Sequence, residues 1–100
     1  MDQELLDYVN HIVDRINDIA AEGYEAMYDY LSDCLDVEFV CNSRKEFIRA
    51  EFAITLGGPS VYVDSNGHVN GYWGGKNYER SIDDEAEEMI YQIAQDWWYN

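Results

Sequence analysis

Pro59-Ser60-Val61-Tyr62-Val63-Asp64-Ser65-Asn66-Gly67-His68-Val69-Asn70-Gly71-Tyr72-Trp73 is the stretch that decides the fold. Val61 and Val63 alternate and lead into Asn66-Gly67. That dipeptide is the strongest short hairpin signal, because a type I′ turn needs positive φ at both central residues. The chain returns from Val69 to Trp73, and Gly74-Gly75 ends or bulges the returning strand. Upstream, Ile48, Ala50, Phe52, Ile54 and Leu56 alternate, as do Val37, Phe39 and Cys41, which suits strands with one buried face. Asn42-Ser43-Arg44-Lys45 is a turn between these runs. Gly57-Gly58-Pro59 is another, since proline can start a strand but not sit inside one. The expectation is an antiparallel four-stranded meander.

Outside this region the period changes. Over residues 4–21, Leu5, Leu6, Val9, Ile12, Val13, Ile16, Ile19 and Ala20 recur at three- and four-residue spacing. On a helix they cover an arc of about 140°. Glu4, Asp7, His11, Asp14, Asp18 and Glu22 gather within about 80° on the far side. Gly23 breaks the pattern. A shorter helix is expected over 24–34, with Met27, Tyr30, Leu31 and Cys34 inward. Ser81-Ile82-Asp83-Asp84 is a capping-box pattern, a hydroxyl followed three residues later by an acid. Ala86, Met89, Ile90, Ile93, Ala94, Trp97 and Trp98 then mark a last helix. The expected order is ααββββα, one α+β domain over residues 1–100 with its helices packed on one face of the sheet.

Charge is the second signal. The 100 residues hold 21 Asp and Glu against 6 Lys and Arg, a net charge of −15. Small soluble domains typically carry a net charge of magnitude about 2–8, so this chain repels itself more than solubility requires. The charge is also segregated. Residues 1–36 hold ten acids and one base (Arg15), residues 37–82 five of each, and residues 83–100 six acids and no base. Such a chain is repelled by nucleic acids and anionic membranes, and the partner it suits is a basic surface of the kind that lines nucleic-acid grooves.

The acids of the first helix form a base-free stripe, although helix surfaces usually mix signs because like charges at i,i+4 are destabilising. The stripe runs about 27 Å, its positions falling at steps of about 4.5–6 Å. That is comparable with phosphates along a DNA strand, at about one per 3.4 Å. Such a row suits the Lys and Arg side chains that grip a nucleic-acid backbone. Asp83, Asp84, Glu85, Glu87 and Glu88 form a second group where the last helix starts, a position that the helix dipole also favours for acids. The candidate partner-binding residues are therefore Glu4, Asp7, Asp14, Asp18, Glu22, Asp83, Asp84, Glu85, Glu87 and Glu88. Tyr28, Tyr72, Trp73 and Tyr99 are expected to be exposed beside them, as interface anchors.

Catalysis is not expected. Neither His11 nor His68 comes with a nucleophile motif. The glycine pairs at 57–58 and 74–75 lack the spacing and strand-to-helix context of a phosphate loop. Asp64-Ser65-Asn66-Gly67 opens like a calcium loop but lacks the later ligands. No zinc spacing is present, and no metal or cofactor is expected. Cys34 and Cys41 read as buried thiols of a reducing compartment. No stretch approaches the ~20 apolar residues of a membrane span, and Met1-Asp2-Gln3-Glu4 lacks the basic start of a signal peptide.

The run Asp29-Tyr30-Leu31-Ser32-Asp33-Cys34-Leu35-Asp36-Val37-Glu38-Phe39 is followed by Asn42-Ser43-Arg44-Lys45-Glu46, Gly57-Gly58-Pro59-Ser60-Val61-Tyr62-Val63-Asp64 and Gly71-Tyr72-Trp73-Gly74-Gly75. This pattern, GGPxVxVD…GYWGG over roughly residues 28–82, resembles small acidic proteins encoded by bacteriophages and mobile elements of Firmicutes. The resemblance implies action in the cytoplasm of a bacterial host. By analogy of size, charge and origin it implies an anti-defence inhibitor, foremost an anti-CRISPR protein that mimics DNA in the basic groove of a Cas effector. The alternatives are an anti-restriction DNA mimic and a regulatory or assembly module that forms a homodimer through aromatic surface. A metal-dependent hydrolase using the carboxylates of 83–88 is a third.

Overall fold

Eight elements make up the fold: α1 (Asp2–Glu22), α2 (Tyr24–Ser32), β1 (Asp36–Cys41), β2 (Phe47–Thr55), β3 (Ser60–Asp64), β4 (His68–Trp73), β5 (Lys76–Ser81) and α3 (Asp84–Tyr99). They are seen in a computed structural model that describes residues 2–100. The strands form one antiparallel meander in the order β1-β2-β3-β4-β5. The fold is thus the expected single α+β domain, with five strands where the alternation suggests four. The fifth, Lys-Asn-Tyr-Glu-Arg-Ser, is an edge strand in which only Tyr78 is even half-buried. With so little to bury, it carries no alternating apolar signal.

The turns account for the missed strand. Gly74 and Gly75 have φ of 58° and 78°, and Trp73 pairs directly with Lys76. Gly74-Gly75 is therefore the two-residue loop with positive φ at both positions, characteristic of type I′, that joins two strands. At Asn66-Gly67 only the glycine has positive φ, at 95°. Asp64 pairs with His68, and the Gly67 N–H donates to the Asp64 carbonyl at 2.9 Å. That hairpin closes through three residues, with glycine in the last place, instead of the expected type I′ pair.

The helices cover one face of the sheet. Leu5, Val9, Ile12, Val13, Ile16 and Ile19 of α1 meet Met27 and Leu31 of α2, Ile90 and Ile93 of α3, and Ala50, Phe52, Val61, Val63 and Val69 beneath them. α1 crosses β4 and β5, α3 lies over β2, and α2 packs on both helices. Gly71 allows the close approach of α1, since a methyl there would stand 2.5 Å from Val9 Cγ2 and 2.9 Å from Leu5 Cδ1. Only the centre of each alternating run is covered. Ala50 and Phe52 are buried, whereas Ile48 and Leu56 are 46% and 49% exposed. Phe39 lies at the fringe, its ring 5.6 Å from that of Trp98. Cys34 is half-buried and Cys41 exposed, which corrects the reading of both as buried thiols. Burial raises the Cys34 thiol pKa above its ordinary value.

Helix boundaries differ from expectation in each helix, and α1 runs from Asp2 to Glu22 instead of over 4–21. α2 stops at Ser32, two residues early. Ser81 is the final residue of β5, paired with His68, so it does not cap α3. Asp83 takes the N-cap position, without a side-chain cap bond. Its N–H donates instead to Asn17 Oδ1 of α1 at 3.0 Å.

A candidate acidic binding surface

The α1 stripe is built by helical period alone. With the apolar arc held against the sheet, Glu4, Asp7, Asp14, Asp18 and Glu22 are all exposed. Among the described residues none of these carboxylates lies in an ion pair. Asp7 Oδ1 accepts from Gln3 Nε2 at 2.8 Å. His11 takes the third place in the row, so the carboxylate spacing opens to about 10 Å between Asp7 and Asp14. Arg15 flanks the stripe on the α2 side, where it opposes the upward push of burial on the Tyr30 hydroxyl. Glu22 is the last residue of α1, at the negative end of the helix dipole, where an acid destabilises the helix. No base occupies the last turn of any of the three helices.

The second group is only partly a surface. Asp83, Asp84, Glu85 and Glu88 are exposed, but Glu87 is half-buried. Its carboxylate packs against Gly67 so closely that a methyl there would overlap it. Among the described residues, Glu87 is thus the one of the five whose side chain also makes a contact within the fold. The Asn17–Asp83 bond brings the start of α3 against the flank of α1, one residue from Asp18. The two predicted clusters consequently meet at one corner of the helix layer.

A third acidic surface escapes a reading by segment. Pairing register places Glu38, Glu51, Asp64 and His68 in one row across β1 to β4, on the face turned away from the helices, with Glu38 exposed, Glu51 half-buried and Asp64 buried. Asp36 and Glu79 share that face. Of the five bases in the middle of the chain, Arg44 and Lys45 sit in the β1–β2 loop and Lys76 follows the β4–β5 turn. Arg80 reaches Asn10 of α1. Only Arg49 opposes the row, with Nη1 2.6 Å from Asp64 and 3.0 Å from Glu51. The hydrogen bond that Arg49 donates to Glu51, with the charge of Asp64 and against the opposing effect of burial, raises the Arg49 pKa above its ordinary value. The apparent neutrality of the middle segment thus averages an acidic face with basic loops. Alternation of Arg49 and Glu51 with Ala50 and Phe52 was the available signal.

The aromatics divide in the same way. Tyr28, Tyr72 and Tyr99 are exposed, at 40%, 46% and 68%, and so is Tyr8, at 42%. Tyr72, however, stands against Tyr62 on the sheet face turned away from the helices and so is not beside the candidate acids. Trp73 is instead half-buried against the core. Among the described residues no group of His, Cys, Asp or Glu is arranged to hold a metal ion, and no helix is long and apolar enough to cross a membrane. Comparisons with protein-family models, with curated proteins and with solved structures find no match for this chain.

Proposed function

We propose that this protein is an inhibitory binding module that occupies a basic nucleic-acid groove of another protein, as a DNA mimic. In the setting that the sequence resemblance implies, this is a phage-type anti-defence inhibitor, foremost an anti-CRISPR protein acting on a Cas effector. The observation that carries the proposal is the exposed row of carboxylates along α1, held on a helix with no Lys or Arg among them and, among the described residues, in no ion pair. Unpaired like charges destabilise a helix by a few tenths of a kcal/mol per i,i+4 pair, and an acid at a helix C-terminus adds to that. Sites where stability is given up without a packing gain are those where binding accounts for the residue. Charge-assisted bonds to Arg and Lys supply affinity, and long-range attraction speeds encounter.

The test is charge reversal. Asp7→Lys, Asp14→Lys and Asp18→Lys together abolish capture of the groove-bearing partner and restore plasmid interference in a host that carries the defence system. Wild-type affinity weakens steeply from low to physiological salt. An affinity indifferent to both manipulations refutes mimicry. The fringe aromatics favour one second reading. Phe39, Phe47, Tyr91 and Trp98 form linked ring contacts of 5.6–6.3 Å beside the β1 edge, a surface suited to self-association. Under that reading the triple reversal leaves a sedimenting dimer intact.

A further inference from the structure

Beside the N-terminal half of α1 lies an open groove of about 550 Å³, between Tyr8 and Ile12 of the helix and Ile54 and Thr55 of β2. Its form traces to a fault in the sheet. The β2–β3 register slips between Ala53 and Thr55, so Ile54 is the extra residue of a bulge, a device that re-aims a side chain. Ile54 packs half-buried against the core, and with the buried Ile12 it makes an apolar floor. The Tyr8 ring is exposed. Thr55 Oγ1 already donates to the Pro59 carbonyl at 2.9 Å. Glu4, Asp7 and His11 complete its lining, and the two carboxylates are free to face a ligand. Both are exposed, and among the described residues Asp7 is bonded only through Oδ1, to Gln3.

We propose that this groove is the slot for an arginine side chain of the basic partner. The proposal rests on the reading of α1 as the partner-facing surface and names the anchor within it. Charge complementarity selects a cation, since two acids, Glu4 and Asp7, line the groove and no Lys or Arg does. The apolar floor selects a long aliphatic stem. Tyr8 selects a flat cation, because a guanidinium stacks on an aromatic face while its fork addresses carboxylates. Glu4 and Asp7, three residues apart, are neighbours on the helix surface with Cβ atoms about 5–6 Å apart, near enough for one guanidinium to bridge them. An ammonium gains less from the ring and keeps its hydration.

The full chain is titrated with a glycine–serine peptide carrying a single arginine and with its lysine twin, followed by amide NMR. The arginine peptide is expected to shift Tyr8, His11, Ile12, Ile54 and Thr55 most, and to bind about two- to fivefold tighter than the lysine peptide. Tyr8→Ala removes that preference, while Tyr8→Phe, which keeps the ring and the fold, retains it. Asp18→Lys, outside the groove, weakens both peptides alike. Equal binding of the two peptides, or shifts spread over all exposed carboxylates, overturns the slot. If the slot fails but Asp14→Lys with Asp18→Lys still abolishes partner capture, the acidic-stripe function stands without it. If that pair leaves capture unchanged, the function itself fails.

Discussion

Gly71 is the residue on which the helix layer rests. Its missing side chain sets the distance at which Leu5 and Val9 lie on the sheet. Gly71→Ala should lower unfolding free energy by about 1–3 kcal/mol, because the helix must lift or the side chains leave their rotamers. Urea denaturation checks this, and an unchanged midpoint would show that α1 rides higher than described. Within the GGPxVxVD…GYWGG pattern, Gly57, Gly74 and Gly75 serve positive-φ turns, while Val61 and Val63 serve the core. The motif therefore specifies a fold, and the binding candidates lie largely outside it.

Among the elements, α1 shows most directly the conflict between stability and binding. Glu22→Lys places a cation at the helix C-terminus and four residues after Asp18. Both changes favour the helix, together by about 0.3–1 kcal/mol. A higher melting temperature combined with weaker partner capture is expected. A lower melting temperature would mean that Glu22 has a structural role. The helices and their faces were legible because a 3.6-residue period is written in adjacent turns. β5 was not legible, since an edge strand with little to bury carries no such period. Its only local sign was Gly74-Gly75, whose role as a hairpin turn depends on the strand that follows. The cap of α3 was misplaced for a similar reason. Ser81 fits the local capping pattern, but its backbone is committed to His68 across the sheet.

At the scale of the whole molecule, the chain is a two-layer slab about 21 Å through its thinnest dimension, with extents of 40 and 34 Å across. Carboxylates lie on both broad faces, the exposed stripe of α1 on one and the Glu38–Glu51–Asp64 row, with Asp64 buried and paired to Arg49, on the other. With a net charge of −15 confined in this volume, mutual repulsion opposes the folded state. Melting temperature should therefore rise by several degrees between about 20 mM and about 500 mM sodium chloride, as the screening length falls from about 20 Å to about 4 Å. Scanning calorimetry in the two salts checks this. A falling melting temperature would mean that favourable ion pairs outweigh the repulsion.

By itself the sequence determined the helix faces, the antiparallel hairpins from β1 to β4 and the acidic stripe from Glu4 to Glu22. Each depends on residues within a few positions of one another. Tertiary structure alone decided that Glu87 lies against Gly67, that Asp83 abuts Asn17, and that Glu38, Glu51 and Asp64 share one face of the sheet. It alone placed Ile54 opposite Tyr8 to form a groove. These depend on register between strands and on where a helix crosses them. Such distances are set by burial of the whole apolar face and not by any local run of residues.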